Sequence, residues 1–262
     1  MSEVRVPSAP EWSQQRGFGI RVEWGRAGAA AIGVGAVCVV VVDVLSFTTS
    51  VSVAVGAGTA VFPYRWRDES AREFADRHDA ALAVGRRQVS AAQPWSLSPA
   101  AIRRAPFTER LVLPSPNGSA IAAGVSEATV VAACLRNYRA VAEWLIARNW
   151  GTPTQPIAII AAGEHWPGSD VARPALEDWL GAGALAAALL DRGATAPSPE
   201  ALSAATTFTS LTDVPALIAT CASGRELAAV GFADDVALAT ELDADSTVPV
   251  LVDGVFAAQQ PS

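Results

Sequence analysis

The chain has 262 residues, a formal net charge of −7 and 51% hydrophobic residues. That length supports a sizeable core, as one large domain or two small ones, and an acidic balance without any Lys/Arg-rich run argues against a nucleic-acid partner. Cys38, Cys134 and Cys221 are odd in number and lie in apolar stretches, so they read as core thiols of a reducing compartment rather than a disulfide frame or a zinc site. With no apolar signal core at the start and no apolar run long enough to span a bilayer, the expectation is a soluble, cytoplasmic protein without a membrane partner.

Residues 1–17 read as a loose lead-in and 18–262 as the folded domain, with Ile20, Val22 and Trp24 alternating like an edge strand. Val37 to Val42 is a β-branched run without a polar residue, as in a strand buried on both faces of a sheet. It ends at Asp43. Ser46, Thr48, Thr49 and Ser50 follow just where Val51, Ala54 and Val55 begin a helical spacing, and a further strand leads to Tyr64. Helix N-termini carry free N–H groups and the positive end of the macrodipole, so this turn is expected to hold an anion, with a divalent cation between that anion and Asp43.

A charged surface helix comes next, then a short strand from Leu82 to Val84 ending at Gly85, Arg86 and Arg87, and a Pro-rich loop from Val89 to Glu109 with one helical turn. Arg110 to Leu113 predicts a second buried strand, closed by the polar turn Pro114-Ser115-Pro116-Asn117-Gly118-Ser119, a short helix and a strand from Thr129 to Ala133. Tyr138 to Asn149 is an amphipathic helix. IAIIAAG is a third buried strand ending at Gly163 and Glu164. Pro174 opens a helix with Glu177 and Asp178 in its first turn, running to Leu189 before Gly193. Helices follow from Ser198, Asp234 and Asp235 are placed on a solvated turn, with a metal role as the alternative if the final helices fold back over the site, and Val248 to Val252 is the last strand.

Strands alternating with helices predict an α/β protein with a largely parallel or mixed sheet, in which the loops Asp43 to Thr49, Ser115 to Ser119 and Gly163 to Asp178 meet at the carboxyl ends of the strands. Several chemistries are excluded. There is no Walker loop, and GVGAVC precedes its strand and lacks a third glycine. Leu45, two residues after Asp43, rules out paired aspartates, and Cys221 to Arg225 is too short for a phosphate-cradling thiolate loop. His78 and His165 stand alone. What remains, carboxylates with hydroxyl- and glycine-containing loops, suits Mg²⁺ and a phosphorylated ligand, because Mg²⁺ keeps several waters and needs only one or two carboxylates.

The segments VVDVLSFTTS (41–50), LPSPNGSA (113–120), RNYRAVA (136–142), ALEDWLGAGAL (175–185), SGRELAAVGFADDVALA (223–239) and VPVL (248–251) together resemble the 2-phosphosulfolactate phosphatase (ComB-like) family. The resemblance implies a ComB-like three-layer α/β fold, two intimately packed lobes not excluded, and Mg²⁺-dependent hydrolysis of 2-phosphosulfolactate to sulfolactate and phosphate. The partner implied is a small phosphorylated organic acid, and a homodimer is left open. Mg²⁺ would be held by Asp43 and one of Glu177 and Asp178, with Asp43 and Glu177 as the catalytic pair. Ser46, Thr48, Thr49, Asn117, Gly118 and Ser119 would face the phosphate. Family members commonly carry Arg where Ser46 or Phe47 stands and where Ala120 stands, so cationic contacts would come from Arg86 and Arg173, with Arg87 and Arg136 as further candidates. The bland readings are a helix cap at Asp43, an ordinary turn at Asn117-Gly118 and dipole complements at Glu177 and Asp178. The rival function is a catalytically inactive phosphate- or anion-binding protein of the same fold.

Overall fold

The computed structural model describes residues 9–65 and 68–259. In chain order these form β1 (Ile20–Trp24), α1 (Gly25–Ile32), β2 (Cys38–Val42), α2 (Phe47–Gly56), β3 (Ala60–Tyr64), α3 (Glu69–Arg77) and β4 (Ala81–Leu82). The middle of the chain gives α4 (Pro99–Arg104), β5 (Arg110–Pro114), α5 (Gly118–Ala122), β6 (Thr129–Ala133), α6 (Tyr138–Ile146) and β7 (Ile157–Ala161). A small hairpin of β8 (Glu164–His165) and β9 (Ala172–Arg173) precedes the long helix α7 (Leu176–Asp191). The last third comprises α8 (Pro199–Ser210), α9 (Val214–Thr220), α10 (Ala222–Ala229), α11 (Ala233–Ala239), β10 (Val248–Val252) and β11 (Val255–Gln259). No helix among the described residues is long and apolar enough to cross a membrane.

Nine strands form one mixed sheet in the order β1-β7-β2-β6-β10-β11-β3-β5-β4. β1, β7, β2 and β6 are mutually parallel, as are β3, β5 and β4, and the antiparallel β10-β11 hairpin joins the two blocks. By these pairing signs the two blocks run in opposite senses, which in a flat sheet would place the ends of β2 and β5 on opposite edges. Strand twist of roughly 20–25° per step accumulates from β2 through to β5 and wraps the sheet. Inside that curl α2 packs on β6, β10, β11 and β3, so both blocks share one helix.

The apolar run of β2 has no polar residue because both of its faces are covered. Cys38, Val40 and Val42 enter a core with Leu145 of α6 and Leu180 and Leu185 of α7. Val39 and Val41 enter a second core with Ile32, Phe47, Val51 and Ile121 from α1, α2 and α5. Helices on either side of the sheet make the expected three layers.

β1 lies at a sheet edge, as its alternation predicts. Asp234 and Asp235 sit in the first turn of α11 rather than on a solvated turn, and Asp235 is buried. The lead-in falls partly outside the described residues, which begin at residue 9; the Gln15 amide exchanges hydrogen bonds with the Val22 backbone, 2.9 and 3.1 Å, and ties residues before β1 to that strand.

Candidate active site

β2 delivers Asp43 to the sheet's end, and the turn after it is held by its own hydroxyls. Thr48 Oγ1 donates to the Asp43 carbonyl at 2.8 Å and accepts from the Asp43 N–H at 2.9 Å, while Thr49 Oγ1 donates to the Val44 carbonyl at 2.7 Å. One Asp43 carboxylate oxygen accepts from Phe47 N–H, the first residue of α2, at 3.1 Å. The other accepts from Gly118 N–H, the first residue of α5, at 2.9 Å. A single carboxylate thus complements two helix N-termini from distant parts of the chain. Glycine is required at 118 by space: a Cβ there would stand 2.7 Å from Asp43 Oδ2 and closer still to the Phe47 ring.

α7 brings a second set of acids. A Cβ at Gly181 would sit 2.7 Å from Val42 and 2.8 Å from Val44, so this glycine lets α7 lie directly against β2 and its loop. One turn earlier, Asp178 accepts from Val44 N–H at 2.7 Å and from Gly163 N–H at 2.8 Å, clamping the loop after β2 to the loop after β7. Glu177 diverges from it, as neighbours on a helix must; it is buried and accepts from Cys221 Sγ at 3.4 Å.

The loop after β7 continues into β8, where Glu164 lies across the hairpin from Arg173. Asn117 Nδ2 donates to Glu164 Oε2 at 3.0 Å, joining the third loop to the second. The other end of that amide, Asn117 Oδ1, is buried without a hydrogen-bond partner. Burial, reinforced by repulsion from Glu177 and opposed by the two backbone N–H donors and Arg86, raises the Asp43 pKa to about 6. Burial and then repulsion from Asp43 and Glu177 raise Glu164 to about 7, with Asn117 and Arg173 opposing. Asp178 is pushed well above the ordinary carboxylate range by burial first and then by Glu177 and Asp43. These acids share one field.

Arg86 faces them from the far block of the sheet. Its Nη2 donates to Ser46 Oγ at 2.6 Å, and its Nε pairs with Asp235 Oδ2 at 3.2 Å. The guanidinium also lies over the Phe232 ring, 5.5 Å from its centre. Arg173 lies 3.6 Å from Glu226 and stands over Trp166, with its centre 5.7 Å from that ring. A groove of about 1250 Å³ reaches Arg86, lined there by Arg87, Pro114, Phe232 and Glu226 and further off by Arg72 and the acids of α3.

The structure therefore joins Asp43, Ser46, Arg86, Asn117, Gly118, Glu177, Asp178 and, through Glu164, Arg173. Thr48, Thr49 and Ser119 are wholly buried and spend their single hydroxyl donors on backbone carbonyls, Ser119 on Tyr64 at 2.7 Å, so they shape loops and have no O–H left for a phosphate. The first N–H groups of α2 and α5, expected to face a phosphate, are taken by Asp43. Arg136 turns away to Glu241 and the Leu238 carbonyl. Sequence marks Glu164 only as the end of a buried strand, and Asp235 only as a turn residue with a metal role as the lesser alternative; the structure brings Glu164 to Asn117 and Asp235 to Arg86. Glu164 follows a buried strand at the predicted rim, a position that marks it in retrospect, whereas nothing local to Asp235 signals its pairing with a residue 149 positions away.

Carboxylates raised by burial and then by one another, beside an amide oxygen that lacks a donor, match the hard oxygen ligands of Mg²⁺. Among the described residues no three His, Cys, Asp or Glu side chains are gathered as a ready cage. Mg²⁺ fits that sparser set because it retains waters and takes oxygens from a phosphate.

Acids crowded at the strand ends of a mixed α/β sheet, with arginines on the rim, suit the hydrolysis of a phosphoric ester. The chain belongs to the 2-phosphosulpholactate phosphatase family, whose model matches residues 30–254, and it is a phosphoric monoester hydrolase by that membership. No individual curated protein matches it.

Proposed function

We propose that the protein hydrolyses 2-phosphosulfolactate to sulfolactate and phosphate in a Mg²⁺-dependent reaction in the cytoplasm. The observation that carries this reading is the meeting of Asp43, Glu164, Glu177 and Asn117 Oδ1 at one rim with Arg86 opposite. Asp43 and Glu177 would hold Mg²⁺ with Asn117 Oδ1 as a neutral oxygen, while Asp178 keeps the two loops in register. When bound, the ion offsets phosphate charge and acidifies a coordinated water. Glu164, held beside these groups by Asn117 Nδ2 at 3.0 Å, is placed to accept a proton from the attacking water and to return one to the departing alkoxide oxygen. Arg86 binds an oxyanion of the substrate, and Arg173, from the hairpin, binds a second.

Phosphate release from 2-phosphosulfolactate, measured with Mg²⁺ and with EDTA, tests the reading. Expected are turnover with Mg²⁺, none with EDTA, and a loss of at least about a hundredfold in Asp43→Asn. Equal rates with and without the chelator, or wild-type rates in Asp43→Asn, contradict it.

A further inference from the structure

We infer that Asp235 is a positioning residue that aims Arg86 at the substrate's anionic group, an inference that rests on the phosphatase reading above. Asp235 is 1% exposed, and its two carboxylate oxygens do different things. Oδ1 accepts from Ser98 Oγ at 2.5 Å and from Ala100 N–H at 3.2 Å, locking α11 to the start of α4. Oδ2 takes Arg86 Nε at 3.2 Å. Arg86 itself comes from a loop after the two-residue strand β4 at the sheet edge, a weak mount for a group that must hold a fixed direction. The buried carboxylate supplies that direction on one side, Phe232 covers a face of the guanidinium, and Ser46 Oγ receives Nη2 on the other side.

Two of the three guanidinium nitrogens are thereby committed to protein. Nη1 has no acceptor among the described residues, and the side chain keeps 20% exposure beside the groove. A planar fork with one arm fixed and another open suits an oxyanion such as phosphate or sulfonate. Orientation costs entropy at each binding event unless the protein has already imposed it, which is the part Asp235 plays.

Asp235→Asn isolates this role, because the amide oxygen can still accept from Ser98 and Ala100 while its NH₂ faces Arg86 with a donor where an acceptor stood. Steady-state phosphate release from 2-phosphosulfolactate should show kcat/KM down roughly tenfold or more, carried by KM, since an oxyanion contact made in ground and transition states alike acts on binding. In Arg86→Gln the same loss is expected, and the double variant should be no worse than Arg86→Gln alone. A wild-type KM in Asp235→Asn, or losses that multiply in the double variant, overturns the inference. Calorimetric binding of inorganic phosphate in the presence of Mg²⁺ gives a readout independent of turnover. Weakening by both variants supports the pairing, and unchanged affinity in Asp235→Asn overturns it. Wild-type protein that binds phosphate but releases none from any small ester would instead remove the phosphatase reading while the binding comparison still decides on Asp235. Circular dichroism separates loss of fold from loss of aim, and if Asp235→Asn does not fold, Arg86→Gln against Arg86→Lys carries the comparison, with Lys expected not to rescue a directional fork.

Discussion

Gly118→Ala perturbs the junction at which the loops from the two sheet blocks meet. The added methyl would stand 2.7 Å from Asp43 Oδ2 and still closer to the ring of Phe47, which is wholly buried and packs edge-on to Phe256 at 6.3 Å between ring centres. Neither neighbour can yield cheaply. Phe47 is the first residue of α2, and Asp43 is held by Phe47 N–H as well as Gly118 N–H. Overpacking a filled site costs about 1–3 kcal/mol, and losing a hydrogen bond to a carboxylate adds about 1.5–3 kcal/mol. Together these amount to about 2.5–6 kcal/mol, a fall in melting temperature of roughly 5–24 °C for a chain of this size. Mg²⁺ affinity and turnover should fall with it, because Asp43 is the group displaced. Gly124→Ala serves as control, since its nearest contacts would be ordinary ones of 3.4 and 3.5 Å to the Ala120 and Ile121 carbonyls at the end of α5. Thermal unfolding of both variants, with metal titrations, checks this. Gly118→Ala matching Gly124→Ala in stability and Mg²⁺ affinity would refute the proposed junction.

The raised carboxylates make stability depend on pH. Asp43 at about 6 and Glu164 at about 7 bind protons more tightly folded than unfolded, so their stabilising contribution is present below about pH 4 and is lost as pH rises through 6 to 7, on the order of 3 kcal/mol each. In EDTA these groups should lower the melting temperature between pH 5 and 8, with the gain from added Mg²⁺ largest at pH 8; an EDTA melting temperature that climbs steadily over that range contradicts the crowding. Glu164→Gln should lower kcat by about 10²–10⁴ and remove one limb of the pH–rate profile, whereas an unchanged profile assigns the proton transfer elsewhere. Asp178→Ala strips two buried backbone N–H groups of their acceptor and should cost about 3 kcal/mol or more in urea unfolding, with a change under 1 kcal/mol denying it the clamp.

Much of the fold could be read from the chain because its signals are local. The β2 run, the turn after Asp43 and the acids opening α7 each announce strand, loop or helix start within a few residues. α1 was not anticipated, since GRAGAAAI carries two glycines and hardly any large apolar periodicity, and β8, β9 and β11 are too short or too small in side chain to stand out. Meeting of Asp43 with the Asn117-Gly118 turn was an expectation from strand-end geometry. It holds by a route no local pattern shows, the antiparallel hairpin that reverses half the sheet and the curl that returns its end to β2. Hydroxyls were the least informative signal. Thr48, Thr49 and Ser119 lie at the predicted rim but close its turns, because a buried O–H binds the nearest carbonyl first.

The most direct test of the shared rim is crystallographic: Mn²⁺ soaked in place of Mg²⁺ and located by anomalous scattering. One peak is expected, bonded to carboxylate oxygens of Asp43 and Glu177 at about 2.0–2.2 Å, with Asn117 Oδ1 or waters completing the shell. A strong peak elsewhere, with Asp43 still bound only to Phe47 and Gly118, would contradict it.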